Sequence, residues 1–134
     1  MIEGNPTTLG EWIRRAANTI GLTDWAIEYV WDEELPEHVL ARVSIPRARQ
    51  AARIRLGSEF RVSKPEEKRA TLIHELMHCH FEPMSEYVSE TLPMAIGKPS
   101  FHVFETAYDL LAERAIDAIA VAFAEKLPLP PEEE

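Results

Sequence analysis

Residues 74–78 read His-Glu-Leu-Met-His, an HExxH pattern that constrains the chain more than any other stretch of its sequence. Histidines four residues apart lie one turn apart on the same face of an α-helix. His74 and His78 can therefore reach one Zn²⁺, and Glu75 lies on the adjoining face, close enough to act on a metal-bound water. The alternative is that both residues are ordinary hydrogen-bonded histidines of a core. The motif thus predicts a zinc site, provided that the segment is helical.

The residues around the motif predict such a helix. Ser63 and Glu66 form a capping-box pattern, and Pro65 falls in the first turn, where a missing N–H costs little. We therefore expect Ser63→Ala to destabilise the protein by roughly 1 kcal/mol. Glycine and proline are absent from residues 70–81, and the first breaker is Pro83. The rest of the helix surface is largely apolar, which predicts that the helix is buried; the residues concerned are Leu72, Ile73, Leu76, Met77 and Cys79.

Size and composition indicate one globular domain. The chain has 134 residues, of which 46% are hydrophobic and 28% charged, and this is enough for a single core. A net charge of −9 without a basic stripe argues against nucleic acid as the partner. The sequence has no apolar run of transmembrane length and no signal-like start, and its single cysteine cannot form an internal disulfide. We therefore expect a cytoplasmic protein without a membrane partner, and the oligomeric state stays open.

The segment before the motif predicts one helix followed by a small twisted sheet. Thr7 or Thr8 can cap the helix, which runs to about Ile20 and ends at Gly21. Alternating side chains predict three strands, at Trp25–Trp31, Val39–Ile45 and Ala51–Leu56. An edge strand of such a sheet could lie beside the metal and pair with an extended peptide. Whether the second or the third strand takes that place is open.

Four arginines near the sheet have two interpretations. They could contact an acidic ligand, or they could form a solvated sheet face that balances nearby carboxylates, which is the interpretation we favour. The residues are Arg47, Arg49, Arg53 and Arg55.

The segment after the motif predicts a connector, a helix and a tail. Residues 82–102 contain three prolines and one glycine, and we expect a long loop that serves as a lid over a cleft or as a spacer. The last helix is predicted at Phe104–Leu127. Residues 128–134, which contain prolines and glutamates, are predicted to form an extended, mobile tail.

The third zinc ligand is expected outside the motif helix. An HExxHxxGxxH pattern fails, because Phe81 and Met84 occupy its glycine and third-histidine positions. His80 follows His78 by two residues and therefore lies on the opposite side of the helix.

The last helix offers better candidates, because carboxylates recur there every four residues, at Glu105, Asp109, Glu113 and Asp117. Helical spacing places Glu113 and Asp117 within an apolar stripe, where an unpaired carboxylate would be costly. A metal bound to Glu113 and an imidazole N–H bound to Asp117 would remove both costs. The stripe comprises Leu110, Ile116, Ala120 and Ala124.

The two motifs together carry a resemblance to a known family. HExxH at residues 74–78, followed by Glu113-x-x-x-Asp117, resembles the gluzincin metallopeptidases, and the compact size resembles minimal members encoded by bacteria and their phages. The run from Glu113 to Ala120 is also similar to the third-ligand helix of ImmA/IrrE-type peptidases. The long gap between His78 and Glu113 departs from the pattern and leaves the register open to Glu105 and Asp109.

The resemblance implies an α+β fold with one zincin-like domain at residues 1–127. In it, an N-terminal helix and a three-stranded sheet would precede the buried HExxH helix, and the long C-terminal helix would carry the third ligand. His74, His78 and Glu113 would bind Zn²⁺, and Glu75 would be the general base. Asp117 would accept a hydrogen bond from a zinc-binding histidine and orient it.

The expected function is a zinc-dependent peptidase that hydrolyses a peptide bond of a peptide or protein substrate. Zinc would activate a water molecule, and Glu75 would accept its proton. The donor to the oxyanion is open among Tyr87, His102, Tyr108 and the arginines. One alternative is a non-catalytic interaction or regulatory module that keeps the same zinc site, and another is a metal-free helical binding protein.

Overall fold

A small mixed sheet and the helices that pack on it make up the computed structural model, which describes residues 4–132. The fold is mixed α and β, as expected. In chain order the elements are α1 (Leu9–Thr19), β1 (Ala26–Trp31), β2 (Ala41–Ser44), β3 (Ala51–Leu56), α2 (Ser58–Val62), α3 (Pro65–Glu86), a π-helical turn (Tyr87–Thr91), α4 (Leu92–Ile96) and α5 (Lys98–Ala124).

The sheet has the strand order β1-β3-β2, so that β1 and β2 are its edges. β3 runs parallel to β1 and antiparallel to β2, and Ile54 pairs with Tyr29 on one side and Val43 on the other. Along β3 the side chains of Ala52, Ile54 and Leu56 are buried, whereas Arg53 is exposed. This alternation was predicted, and it turns one face of the sheet towards the core.

α1 begins and ends as the sequence predicts. The hydroxyl of Thr8 accepts a hydrogen bond from the backbone N–H of Glu11, which caps the helix. Gly21 has a φ of +93°, a left-handed conformation that favours glycine after a helix. The buried side of α1 carries Trp12 and Ile13, which belong to the core formed with the sheet and α3.

The start of α3 corrects the predicted capping box. α3 begins at Pro65 with Lys64 at the N-cap and no side-chain cap, and the hydroxyl of Ser63 donates instead to the carbonyl oxygen of Phe60 at 2.7 Å. Ser63 therefore lies at the C-terminal end of α2, where its hydroxyl satisfies one of the last carbonyl oxygens of that helix. The predicted burial of α3 is confirmed at its centre, where Leu72, Ile73, Leu76, Met77 and Cys79 are buried.

The predicted loop at residues 82–102 is wrong, because nearly all of this segment is helical. α3 continues through Pro83 to Glu86, and the π-helical turn and α4 follow it. Pro93 and Pro99 lie in the first turns of α4 and α5, where a proline removes no intrahelical hydrogen bond. Gly97, at a φ of +81°, separates the two helices. The last helix consequently runs from Lys98 to Ala124 rather than from Phe104 to Leu127.

The residues after α5 lie on the domain for at least part of their length. The indole N–H of Trp12 donates to the carbonyl oxygen of Pro128 at 2.8 Å, and Arg69 donates to that of Leu127 at 2.9 Å. The side chain of Pro130 is also buried. The mobility expected for residues 128–134 remains a prediction, and residues 133–134 lie outside the described part. In residues 4–132, none of the helices has the length and apolarity needed to cross a bilayer.

Candidate metal centre

α3 and α5 pack against each other and bring the two sequence motifs together. Ile116 and Ala120 of α5 are buried in the core, and this fixes the rotation of the helix about its axis. Glu113 precedes Ile116 by three residues, so its side chain emerges at the edge of the contact with α3. His74 and His78 emerge one turn apart on the facing side of α3.

The ligand-type atoms of the three side chains converge on one point. Nε2 of His74 and Nε2 of His78 are 3.3 Å apart. Glu113 lies 3.3 Å from the first nitrogen through Oε2 and 3.1 Å from the second through Oε1. Donor atoms around tetrahedral zinc with bonds of 2.0–2.1 Å lie about 3.3 Å apart. One ligand atom from each of the three side chains lies within 4.8 Å of the others, a donor set and spacing that could hold Zn²⁺.

Asp117 determines which nitrogen of His74 carries a proton. Its Oδ1 lies 2.7 Å from Nδ1 of His74. A carboxylate accepts hydrogen bonds, so Nδ1 of the neutral ring holds the proton and Nε2 keeps a free lone pair. That lone pair points into the cluster with His78 and Glu113. Carboxylates commonly orient metal-binding histidines in this way.

Glu75 is buried next to the cluster and is tied to the edge of the sheet. Its side chain is 9% exposed, and its Oε2 accepts a hydrogen bond from the backbone N–H of Val43 at 3.1 Å. Burial raises the pKa of Glu75 to about 7, against the lowering effects of His74 and of the Val43 N–H. β2 is thereby identified as the strand beside the motif helix, a choice that the sequence left open.

The electrostatic environment of His78 favours its neutral form. Burial lowers the pKa of this imidazole, and the opposing effect of the Glu113 carboxylate is smaller. A neutral imidazole is the form that binds a metal ion. The environment therefore agrees with a ligand role for this side chain.

Open clefts run along β2 on both sides of the cluster. The central cavity, about 510 Å³, is lined by His74, Glu75, His78 and Glu113 together with residues of β2. A neighbouring cavity of about 450 Å³ is mostly apolar and is lined by residues such as Leu40, Ala120 and Val121. A third, of about 270 Å³, has acidic walls. A further cavity, of about 860 Å³, lies at the end of the sheet where β1 and β3 begin, and none of the cluster residues lines it.

The cleft contains two residues that the sequence reasoning missed. Arg42 lines the central cavity and acts electrostatically on Glu75, and His38 lines the apolar one. Both belong to or precede β2, so assigning this strand to the edge beside the motif would have directed attention to them. No pattern in the sequence separates Arg42 from the other arginines.

Several predicted residues lie elsewhere. Glu105 and Asp109 line the acidic cavity, and in the described part of the chain they do not belong to the His74–His78–Glu113 cluster. Tyr108 contacts the hydroxyl of Ser85 at 3.1 Å. Among the described residues, Tyr87, His102 and Tyr108 do not line the central cavity. The imidazole of His80 points away from it and donates from Nε2 to the carbonyl oxygen of Ile20 at 2.6 Å.

Three of the four arginines near the sheet, Arg47, Arg53 and Arg55, make ion pairs with nearby carboxylates, which agrees with the favoured interpretation. Arg53 contacts Glu28 at 2.6 Å and Arg55 contacts Asp32 at 3.5 Å. Arg47 pairs with Glu90.

The predicted burial of the α5 carboxylates is wrong. The side chains of Glu113 and Asp117 are 49% and 65% exposed, and Leu110, which was placed in the same apolar stripe, faces solvent. α5 buries a narrower face than expected, formed by Ile116, Ala120 and Ala124. The carboxylates are thus oriented by the histidines of α3 and not by the absence of water.

Comparison with known proteins adds no assignment. No family model, curated protein or solved structure matches the chain. The HExxH motif and the geometry of the cluster are therefore the features that bear on function.

Proposed function

We propose that this chain is a zinc-dependent peptidase with a minimal, gluzincin-like zincin domain. The observation that supports the proposal most strongly is the convergence of His74, His78 and Glu113 at 3.1–3.3 Å. Two imidazole nitrogens and one carboxylate are the donors of a tetrahedral zinc site with three protein ligands and one open position.

The proposal also accounts for the hydrogen bond between Asp117 and His74. In the absence of a cation, two imidazole lone pairs and a carboxylate would face one another at a distance where they repel. A proton or a metal ion has to lie between them, and the tautomer of His74 set by Asp117 leaves Nε2 free for the metal.

The chemistry would be hydrolysis of a peptide bond. His74, His78 and Glu113 would hold Zn²⁺, which when bound would supply a coordinated water of pKa about 7 and a polarising charge for a carbonyl group. Glu75 accepts a proton as general base and returns it to the leaving amine. Its pKa of about 7 suits both transfers, and the hydrogen bond from Val43 fixes one carboxylate oxygen so that the other can face the cleft.

The open cleft along β2 suits an extended peptide or protein segment as substrate. Such a segment can form backbone hydrogen bonds with an edge strand. The outward N–H of Val43 is bonded to Glu75, so a substrate would pair with other backbone groups of β2. We propose a cytoplasmic location on the basis of the single, buried cysteine.

The alternative, a zinc-stapled interaction module without turnover, has one observation in its favour. The carboxylate of Glu75 links α3 to β2 through Val43, and this is a structural use of the residue that needs no substrate. Zinc binding alone does not separate the two functions.

The deciding experiment measures bound zinc and cleavage of a peptide library for the wild type and for Glu75→Gln. If the chain is a peptidase, the wild type cleaves some of the peptides, and the Glu75→Gln variant retains zinc but does not cleave them. A wild type with stoichiometric zinc and no cleavage supports the alternative, and a wild type that binds no zinc excludes both. His80→Gln, on the same helix but outside the cluster, serves as the matched control and should retain both properties.

A further inference from the structure

One face of α5 is apolar and open to solvent along most of the helix. At 100° per residue its members fall on an arc of about 120°. Five large side chains on this arc are between 46% and 76% exposed: Val103, Phe104, Leu110, Leu111 and Val121. Three exposed alanines lie between them: Ala107, Ala118 and Ala122. We call these eight residues the outer face of α5.

The opposite arc of α5 already makes the contacts that hold the helix in the domain. Ile116, Ala120 and Ala124 are buried in the core. A surface helix needs only one such apolar stripe, and its remaining positions are usually polar. The apolar character of the outer face is therefore not explained by the fold of a single chain.

The extent of the outer face agrees with an interface between two chains. At these exposures the eight side chains present on the order of 500 Å² of apolar surface, a size at which an apolar patch is often an interaction site. Two such faces in contact would bury on the order of 1,000 Å², which reaches the lower limit for a specific interface.

The charges on the outer face point in the same direction. Between Val103 and Ala122, the charged side chain within the arc is Arg114, and arginine is the charged residue enriched in interfaces, whereas lysine, aspartate and glutamate are depleted. The acidic residues of this stretch, such as Glu113 and Asp117, lie outside the arc. Although the chain has a net charge of −9, these acidic side chains are therefore outside the proposed contact.

The sequence of the outer face is also self-complementary. An antiparallel pairing about a two-fold axis between positions 112 and 113 keeps the whole stripe in contact, because Val103 and Ala122 lie equally far from that point, and it places Leu111 beside Arg114 of the second copy. Val103 then lies beside Ala122 of the second copy, a large side chain against a small one. The alanines allow the two helices to approach closely, and one surface serves both chains, as in most two-fold dimers.

We propose that the outer face of α5 binds a second copy of this chain and forms a two-fold dimer. Val121 belongs both to this face and to the apolar cavity beside the metal centre. The second copy would therefore border one end of the cleft and limit what can enter it there. The molar mass of the protein in solution tests the proposal, which does not depend on the peptidase assignment.

Sedimentation equilibrium of the full chain across the micromolar range tests the proposal. The wild type should have twice the chain mass of 15.3 kDa. Leu111→Arg should weaken association by about 30-fold or more, because it replaces a large apolar contact with a further positive charge next to Arg114 near the centre of the interface. Val62→Arg is the matched control, since Val62 is exposed but lies on α2, and this variant should dimerise like the wild type.

Three outcomes would overturn the proposal: a wild type that stays monomeric throughout the range, a Leu111→Arg variant that still dimerises, or a Val62→Arg variant that dissociates equally. A monomeric wild type would also leave other proteins as the occupant of the face. Circular dichroism checks that Leu111→Arg is folded. If it is not folded, Ala118→Glu tests the same face at a position where the wild-type side chain is small and exposed.

Discussion

Oδ1 of Asp117 lies 2.7 Å from Nδ1 of His74, while Nε2 of the same ring faces Nε2 of His78 at 3.3 Å. One imidazole thus connects a carboxylate of α5 to the centre of the cluster. Glu113, one turn before Asp117 on the same helix, contacts both histidines. A small rotation of α5 would move the carboxylates of Glu113 and Asp117 together relative to the histidines. The packing of α5 therefore controls the geometry of the site.

Glu113→Gln should lower zinc affinity more than Asp117→Asn does. The glutamine amide is a neutral, weaker donor, and the cluster would lose its anionic ligand. Asp117→Asn removes only the orientation and the basicity that the carboxylate gives to His74, and a loss of about 10-fold to 100-fold is expected. Competition with a chelator, under one set of conditions, ranks the two variants.

Glu105→Gln and Asp109→Asn are the matched controls for this ranking. Both residues lie on α5 at the same four-residue spacing but line the acidic cavity. Neither substitution should change zinc affinity. If Glu105→Gln loses the metal instead, the third ligand lies two turns earlier and the assignment of Glu113 is wrong.

His80→Leu, which removes the donor, should reduce stability without changing zinc affinity. The imidazole donates to the carbonyl of Ile20 at 2.6 Å, on the side of α3 away from the cluster. Losing a hydrogen bond of this kind costs about 1 kcal/mol. The midpoint of urea unfolding and the zinc affinity are measured on the same preparation. A large loss of zinc would mean that His80 contributes to the site.

The sequence predicts the elements well where one pattern dominates. β3 was predicted at Ala51–Leu56 and has those bounds, because small and apolar residues alternate with arginines along it. The HExxH motif fixes the relative positions of His74 and His78 on a helix by spacing alone. The carboxylates at 113 and 117 were selected by helical phase, and the structure brings both to His74.

The errors arise where two local interactions compete or where packing decides. Ser63 can cap either neighbouring helix, and the carbonyl of Phe60 takes its hydroxyl. Pro93 and Pro99 predict that the chain is not helical there, because proline breaks the interior of a helix. A proline also suits the first turn of a helix, and both residues lie in such a turn. The exposure of Glu113 depends on which arc of α5 meets α3, and no spacing rule determines this contact.

Thr8→Ala should destabilise the protein by about 1 kcal/mol, because the Thr8 hydroxyl caps α1. Ser63→Ala should cost less than this, since Ser63 satisfies a carbonyl at the end of the short helix α2 and caps no helix N-terminus. Urea unfolding at constant slope gives both differences. A larger effect for Ser63→Ala would restore the capping box at the start of α3.

Shortening the chain to end at Leu127 should destabilise it, although a mobile tail could be removed without effect. The indole N–H of Trp12 donates to the carbonyl of Pro128 at 2.8 Å, and Trp12 is only 1% exposed. Removing the acceptor leaves a buried donor unpaired, which costs about 1–3 kcal/mol. A chain that ends at Pro131 keeps the acceptor and the buried Pro130, so it serves as the control and should match the full chain.

A double-mutant cycle separates the hydrogen bond between Trp12 and Pro128 from other effects of the shortening. Trp12→Phe removes the indole N–H, so ending the chain at Leu127 should cost about 1 kcal/mol less in that background than in the wild type. The free energies of unfolding of the four proteins are measured in urea. Equal costs in both backgrounds would mean that the bond contributes nothing. If shortening the wild-type chain left its free energy of unfolding unchanged, residues 128–134 would be the mobile tail that the sequence predicts.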